Sequence, residues 1–167
     1  MMMNVSDLII SSVFIGVGAT IVMDVVAIIL KKAFNISSLN YSLVGRWIGY
    51  FPKGKFMHQN VGELAPIKGE TALGWTAHYC IGITFAFLML LIWGDLWLLH
   101  PTVVLPVVYG IVTTLASWVL MQPAFGQGIA ASKTSHPWKA RGRSLMAHAI
   151  YGLGIYIAAW CFNYISI

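Results

Sequence analysis

From Thr71 to Trp93 the chain carries no formal charge. About 20 successive apolar residues is the length a helix needs to cross the hydrocarbon core of a bilayer. The stretch is not bland: Glu70 stands at its mouth, and His78 lies about two turns inside. A titratable ring at that depth is costly unless it faces a partner or a wet cavity. Three more stretches have the same character, about residues 7–30, 101–121 and 144–165. Lipid offers the backbone no hydrogen bonds, so such segments must be helical. The expected fold class is an all-α membrane protein with four transmembrane helices in a single domain over residues 1–167.

Charge placement sets the expected orientation. All 10 Lys and Arg fall within Lys31–Lys68 or Lys133–Arg143, and neither the chain ends nor the connection around Asp95 has one. This is the positive-inside pattern, with basic loops cytoplasmic and an N-out/C-out arrangement, and not a nucleic-acid-binding patch. With 59% apolar and 9% charged residues the composition also departs far from soluble domains, which are about a quarter charged. The N-terminal MMMNVSD has no basic leader and reads as part of an uncleaved first span. Cys80 and Cys161 lie in different spans at different depths, which argues for two small packing residues and against a disulfide.

The first span stops at Lys31-Lys32. Gly16, Ala19 and Thr20 form a small face that admits a neighbouring helix closely. Asp24 is seven residues before Lys31, about 10 Å inside the interface, and is the most expensive residue in the chain. Between the first and second spans, Leu39, Leu43, Val44, Trp47, Ile48 and Phe51 recur at helical spacing, with Asn40, Ser42 and Arg46 on the other side. This predicts an amphipathic helix over about 39–51 on the cytoplasmic leaflet, ended by Pro52, with Trp47 at headgroup level. His58, Glu63 and Glu70 then gather in a segment read as a solvated loop. His58 and Glu63 are five apart, which does not suit one helical face.

Trp93 and Trp97 are expected in an outer aromatic belt, and Pro101 is expected in the first turn of the third span. Pro106 is expected to bend that span. After it, Gln122–Ser132 is uncharged and rich in Gly and Ala, either a tight turn or a partly buried loop lining a cavity. Lys133, Arg141 and Arg143 follow and suit anionic headgroups or an anionic ligand.

The second and fourth spans align without gaps at an offset of 70 residues: Gly74, Ala77, His78 and Gly82 match Ser144, Ala147, His148 and Gly152. The first and third match more weakly, Gly16 and Thr20 against Gly110 and Thr114. A duplicated helical hairpin accounts for both. His78 and His148 then lie about 8–12 Å inside the cytoplasmic interface, level with Asp24, with Gln122 just above. Asp24, His78, Gln122 and His148 are the candidate binding cluster, and Glu70, His58 and Glu63 are secondary candidates.

The blocks GVGATIVMD, VGRWIGY, KGETALGWTAHYCIGITFA, MQPAFGQGIAAS and RGRSLMAHAIYGLGIY resemble those of a family of small bacterial inner-membrane proteins known only as a domain of unknown function. The resemblance covers nearly the whole chain. It implies a multi-pass protein of the bacterial inner (cytoplasmic) membrane with four spans, and brings no reaction or substrate.

Function stays with the residues. One reading is binding or transport of a small solute, ion or proton at the Asp/His cluster, in a homodimer formed through the small-residue faces. A second is a haem- or divalent-metal-binding protein with His78 and His148 as ligands. A third is a non-enzymatic accessory subunit of a larger membrane complex. A membrane enzyme with His78 or His148 as base and Asp24 orienting it also stands, without a convincing Ser or Cys nucleophile.

Overall fold

The computed structural model describes residues 4–165 and is all-helical, with no strand among them. Helix α1 spans Val5–Phe34, α2 Tyr41–Gly49, α3 Glu70–Leu99, α4 Val104–Ala116, α5 Gln122–Ala124 and α6 Pro137–Ile165. Short 3₁₀ turns occupy Phe51–Lys53, Val61–Glu63 and Ile129–Ala131. Four segments are long and apolar enough to cross a membrane: Val5–Phe34, Glu70–Gly94, Val104–Ala124 and Pro137–Ile165.

Local chemistry explains the ends. Asn4 caps α1 by accepting a hydrogen bond from the Asp7 N–H at 2.8 Å. Asn35 closes it in the left-handed region (φ 53°), and its N–H and that of Ile36 reach the carbonyls of Lys31 and Leu30. Asn40 caps α2 through the Ser42 N–H.

Several boundaries differ from the sequence reading. Helix α3 continues through position 95 to Leu99, so the connection to α4 is shorter than the expected turn. Helix α4 begins at Val104, leaving Pro101 outside it. Pro106 falls instead in the first turn, where no backbone N–H is needed. Helix α6 begins at Pro137, so Lys139, Arg141 and Arg143 stand on helix and not on a loop. Helix α2 is shorter than the expected 39–51, because the chain tightens into a 3₁₀ turn at Phe51 and Pro52.

Between α4 and α5 the backbone widens into a π-turn, Ser117–Met121, where the Gln122 N–H reaches the Ser117 carbonyl five residues back. Pro123 follows. It has no N–H to donate, and its ring presses on the carbonyl four residues earlier, a conflict that a widened turn relieves.

The chain divides into two compact units. The first contains α1, α3 from Tyr79, α4 to Val112 and α6 from Ala147. Its core includes Ile15, Ala19, Met89, Tyr151 and Ile155. Small residues set how closely the helices approach, since lipid supplies no hydrophobic drive to press them together. A side chain on Gly16 would strike the Gly82–Ile83 backbone, one on Gly154 would strike Ala19, and one on Gly110 would strike His148 and Gly152. The repeated glycines thus close both hairpins, α1 with α3 and α4 with α6. The aligned pairs Gly16–Gly82 and Gly110–Gly152 both touch, but a side chain on Gly82 would meet Thr20, one turn after Gly16, whereas one on Gly152 would meet Pro106 and Val107, one turn before Gly110. Gly16, Ala19 and Thr20 thus pack against other helices of the same chain.

One aromatic assignment changes. Trp97 is only 6% exposed and its indole N–H donates to the Thr102 carbonyl at 3.1 Å, so it belongs to the core and not to a belt. Trp160 and Tyr164 are exposed and stack on each other. Both cysteines are free, and Cys80 is exposed on α3 instead of packed.

The second unit contains α2, α3 to His78, the end of the third apolar segment from Thr113, and the chain up to Met146. Its core is Val44, Val61, Ala124 and Phe125. Gly45 and Gly74 let α2 cross the start of α3 at backbone contact: a side chain on either would meet the other helix's carbonyls, Glu70 and Tyr41 respectively.

Candidate functional sites

In the first unit the most polar intramembrane residue has a specific partner. The Tyr79 hydroxyl donates to an Asp24 carboxylate oxygen at 3.1 Å. Asp24 stands ten residues from the end of α1 and Tyr79 nine from the start of α3. At about 1.5 Å per residue both are therefore roughly 14 Å from a helix end. His148, on α6, reaches the Gly110 backbone in the same unit. Tyr151 lies deeper in the core and donates to the Gly82 carbonyl at 2.5 Å. The sequence marked Asp24 and His148 but missed Tyr79. A tyrosine within a span, at a depth matching the acid, was the available signal.

His78 and Gln122 belong to the second unit. The His78 ring stacks on Tyr41, with centroids 4.1 Å apart, and meets the edge of Trp75. Gln122 is 7% exposed, and its Oε1 is buried without a hydrogen-bond partner.

The second unit also holds the best-defined ionic contact. Arg46 Nη2 and Nε donate to the two Glu70 carboxylate oxygens at 2.8 and 2.9 Å. Arg46 Nη1 donates to the carbonyls of Leu64 at 3.0 Å and Gly62 at 3.3 Å. The Ile67 N–H donates to Glu70 Oε2 at 3.0 Å. The hydrogen-bonded Glu70 carboxylate raises the Arg46 guanidinium further above its ordinary value. One ion pair thus joins α2, the intervening loop and the mouth of α3. The polar side of α2 is engaged elsewhere too, since the hydroxyls of Ser42 and Thr71 lie 2.8 Å apart. Trp47 donates to the Phe56 carbonyl and packs edge-on against Phe125. The sequence reading named Glu70 but placed Arg46 only on a polar face. Nothing in the spacing singles out this pair, because 24 residues and three lysines separate Arg46 from Glu70.

His58 and Glu63 lie in a loop that is more ordered than a solvated one. The His58 N–H donates to the Ala124 carbonyl, the Val61 N–H to Phe125, and the Asn60 amide to Glu63. Gly126 (φ +84°) touches the Gln59 carbonyl closely enough that no side chain fits. An open cleft of about 770 Å³ lies here, with Met57, His58 and Gln59 on one wall and Gly126, Ile129 and Lys133 on the other. The alternative of a partly buried loop lining a cavity describes residues 122–132 better than a tight turn. Arg141 Nε donates to the Ala130 carbonyl at 2.8 Å, and its guanidinium lies over the Trp138 ring. Arg143 lines a smaller groove with Ser135, His136 and Lys139. Among the described residues, no group of three or more His, Cys, Asp or Glu side chains is placed to hold a metal ion.

These features define a helical membrane-type chain: four bilayer-length apolar helices, glycine-mediated helix contacts and a few partnered polar residues inside. Over residues 13–162 it matches a family described as proteins of unknown function (DUF2938), and the chain belongs to that family. No curated protein matches it, and no solved structure does.

Proposed function

We propose that this chain is a multi-pass protein of the bacterial inner membrane, with its basic segments cytoplasmic and both ends outside, that binds or transports a small solute, ion or proton at Asp24. The observation that carries the reading is the hydrogen bond from Tyr79 to the Asp24 carboxylate. A carboxylate at that depth is expensive, and such groups usually mark ion or substrate paths. The Tyr79 hydroxyl donates to one carboxylate oxygen and so helps fix the orientation of the acid. His148 contributes a second titratable group in the same unit.

The test is reconstitution of the full chain in liposomes carrying a pH-sensitive dye, with a proton gradient or a monovalent cation gradient imposed. The reading expects flux above protein-free vesicles that Asp24→Asn abolishes, while Asp7→Asn, near the exposed start of α1, does not. Equal flux from wild type and Asp24→Asn, or none above empty vesicles, would sink it.

A further inference from the structure

The cleft between the His58 loop and the Gly126–Lys133 loop is separate in residues and chemistry from the Asp24 pair. Its volume of about 770 Å³ is in the range of sites that take small molecules or headgroups. None of the residues lining it is acidic, and Lys133 supplies a cation. His58 also lines it, and the Nε2 atom of that ring is buried without a hydrogen-bond partner. An unsatisfied polar atom of this kind costs free energy, and natural structures seldom keep one without a use. The ring is held in place from outside the cleft. The His58 N–H is fixed to the Ala124 carbonyl, and Tyr50 packs edge-on against the imidazole. On the opposite wall Gly128 (φ +73°) brings its backbone against Ser132 and Lys133, leaving no room for a side chain.

The rim has a different character. Met57 and Ile129 both line the cleft, and they are 66% and 64% exposed. Phe56 and Trp138, nearby in sequence, are 55% and 80% exposed. A cleft lined by a cationic donor, with exposed apolar side chains at its lip, matches an amphiphile with a charged head. In water these side chains would be costly, whereas at a bilayer surface they meet acyl chains.

We propose that this cleft binds the phosphate group of an anionic phospholipid, with Lys133 and the His58 imidazole as its ligands. Lys133 supplies a charge-assisted hydrogen bond to phosphate oxygen, and His58 Nε2 supplies the second. The smaller groove of His136, Lys139 and Arg143 adds positive potential of the same sign. Because the Asp24 pair plays no part, Asp24→Asn should leave this binding unchanged.

The experiment is native mass spectrometry of the full chain in mild detergent, titrated with phosphatidylglycerol or phosphatidylcholine. The expected result is one phosphatidylglycerol retained in preference to phosphatidylcholine. Lys133→Gln should weaken retention by about tenfold, the loss expected for one charge-assisted hydrogen bond. His58→Phe should weaken it as well. Lys55→Gln, an equal charge change outside the cleft, should have less than about a twofold effect, as for a screened surface charge. Lys133 is exposed, so its variant keeps the test valid even if His58→Phe fails to fold. Inorganic phosphate added at millimolar concentration separates the sources. Displacement of the lipid means that the phosphate alone is recognised, and retention means that the chains contribute; either upholds a phosphate site. Unchanged retention in Lys133→Gln, or equal losses in Lys133→Gln and Lys55→Gln, overturns it.

Discussion

Arg46 and Glu70 meet through two parallel hydrogen bonds, at 2.8 and 2.9 Å, across a sequence separation of 24 residues. Their side chains are 11% and 14% exposed. The pair sits where α2 crosses the mouth of α3, and Arg46 also satisfies the Leu64 carbonyl. The charge on Glu70 at the start of α3 also suits the positive end of the helix dipole.

Substitutions at this pair should rank by geometry. Arg46→Lys keeps the charge but loses the two-point fork, and Arg46→Ala loses both. Thermal unfolding in detergent should give midpoints in the order wild type, Arg46→Lys, Arg46→Ala. The exchange Arg46→Glu with Glu70→Arg should recover part of the loss relative to Arg46→Glu alone. An Arg46→Ala midpoint equal to wild type would show that the pair is only a surface contact.

The crossing of α2 over α3 should be intolerant of side chains. Gly45→Ala places a methyl group against the Glu70 carbonyl and the Gly74 backbone, and should cost about 1–3 kcal/mol as overpacking. Gly142 is the contrast, a helical glycine where an added methyl group would meet nothing within 4 Å. Gly142→Ala should stabilise by about 0.5–1 kcal/mol through helix propensity. Denaturant or thermal unfolding of the two variants should show opposite signs.

Tyr151 offers a test of the first unit's core. It is 4% exposed and donates its hydroxyl to the Gly82 carbonyl. Tyr151→Phe keeps the ring and removes one buried hydrogen bond, so unfolding should become easier by about 1 kcal/mol. A loss beyond about 3 kcal/mol would point to a cavity or rearrangement and not to one bond.

Tyr79 should matter to flux more than to folding. Tyr79→Phe removes the donor to Asp24 while keeping the packing. In the liposome assay it should lower flux without abolishing it, and Asp24→Asn should abolish it. Unfolding midpoints should stay near wild type for Tyr79→Phe. Flux in Tyr79→Phe equal to wild type would remove the hydroxyl from the site.

Of the two glycine-rich hairpins, the sequence showed the pattern but not the register. The offset of 70 residues between the second and fourth spans singled out Gly82 and Gly152. Their partners fall at Gly16 and Thr20 in one hairpin and at Pro106, Val107 and Gly110 in the other. Contact register depends on how two helical surfaces fit along their length, and a repeat in one strand of sequence does not encode it. The loop at 122–132 was legible as unusual because it lacks charge, but its cleft required the facing wall at His58.

What the sequence alone determined was the existence of four apolar, membrane-length helices and membership in one family. It could do so because a bilayer leaves a spanning backbone no partner but itself, so length and hydropathy suffice to define such a helix. Only the tertiary structure decided which polar groups meet. Asp24 and Tyr79 are 55 residues apart, and Arg46 and Glu70 are 24 apart. Whether such residues touch depends on helix rotation and on glycine contacts that bring backbones together. Those are properties of two surfaces in contact, and no single stretch of chain contains them.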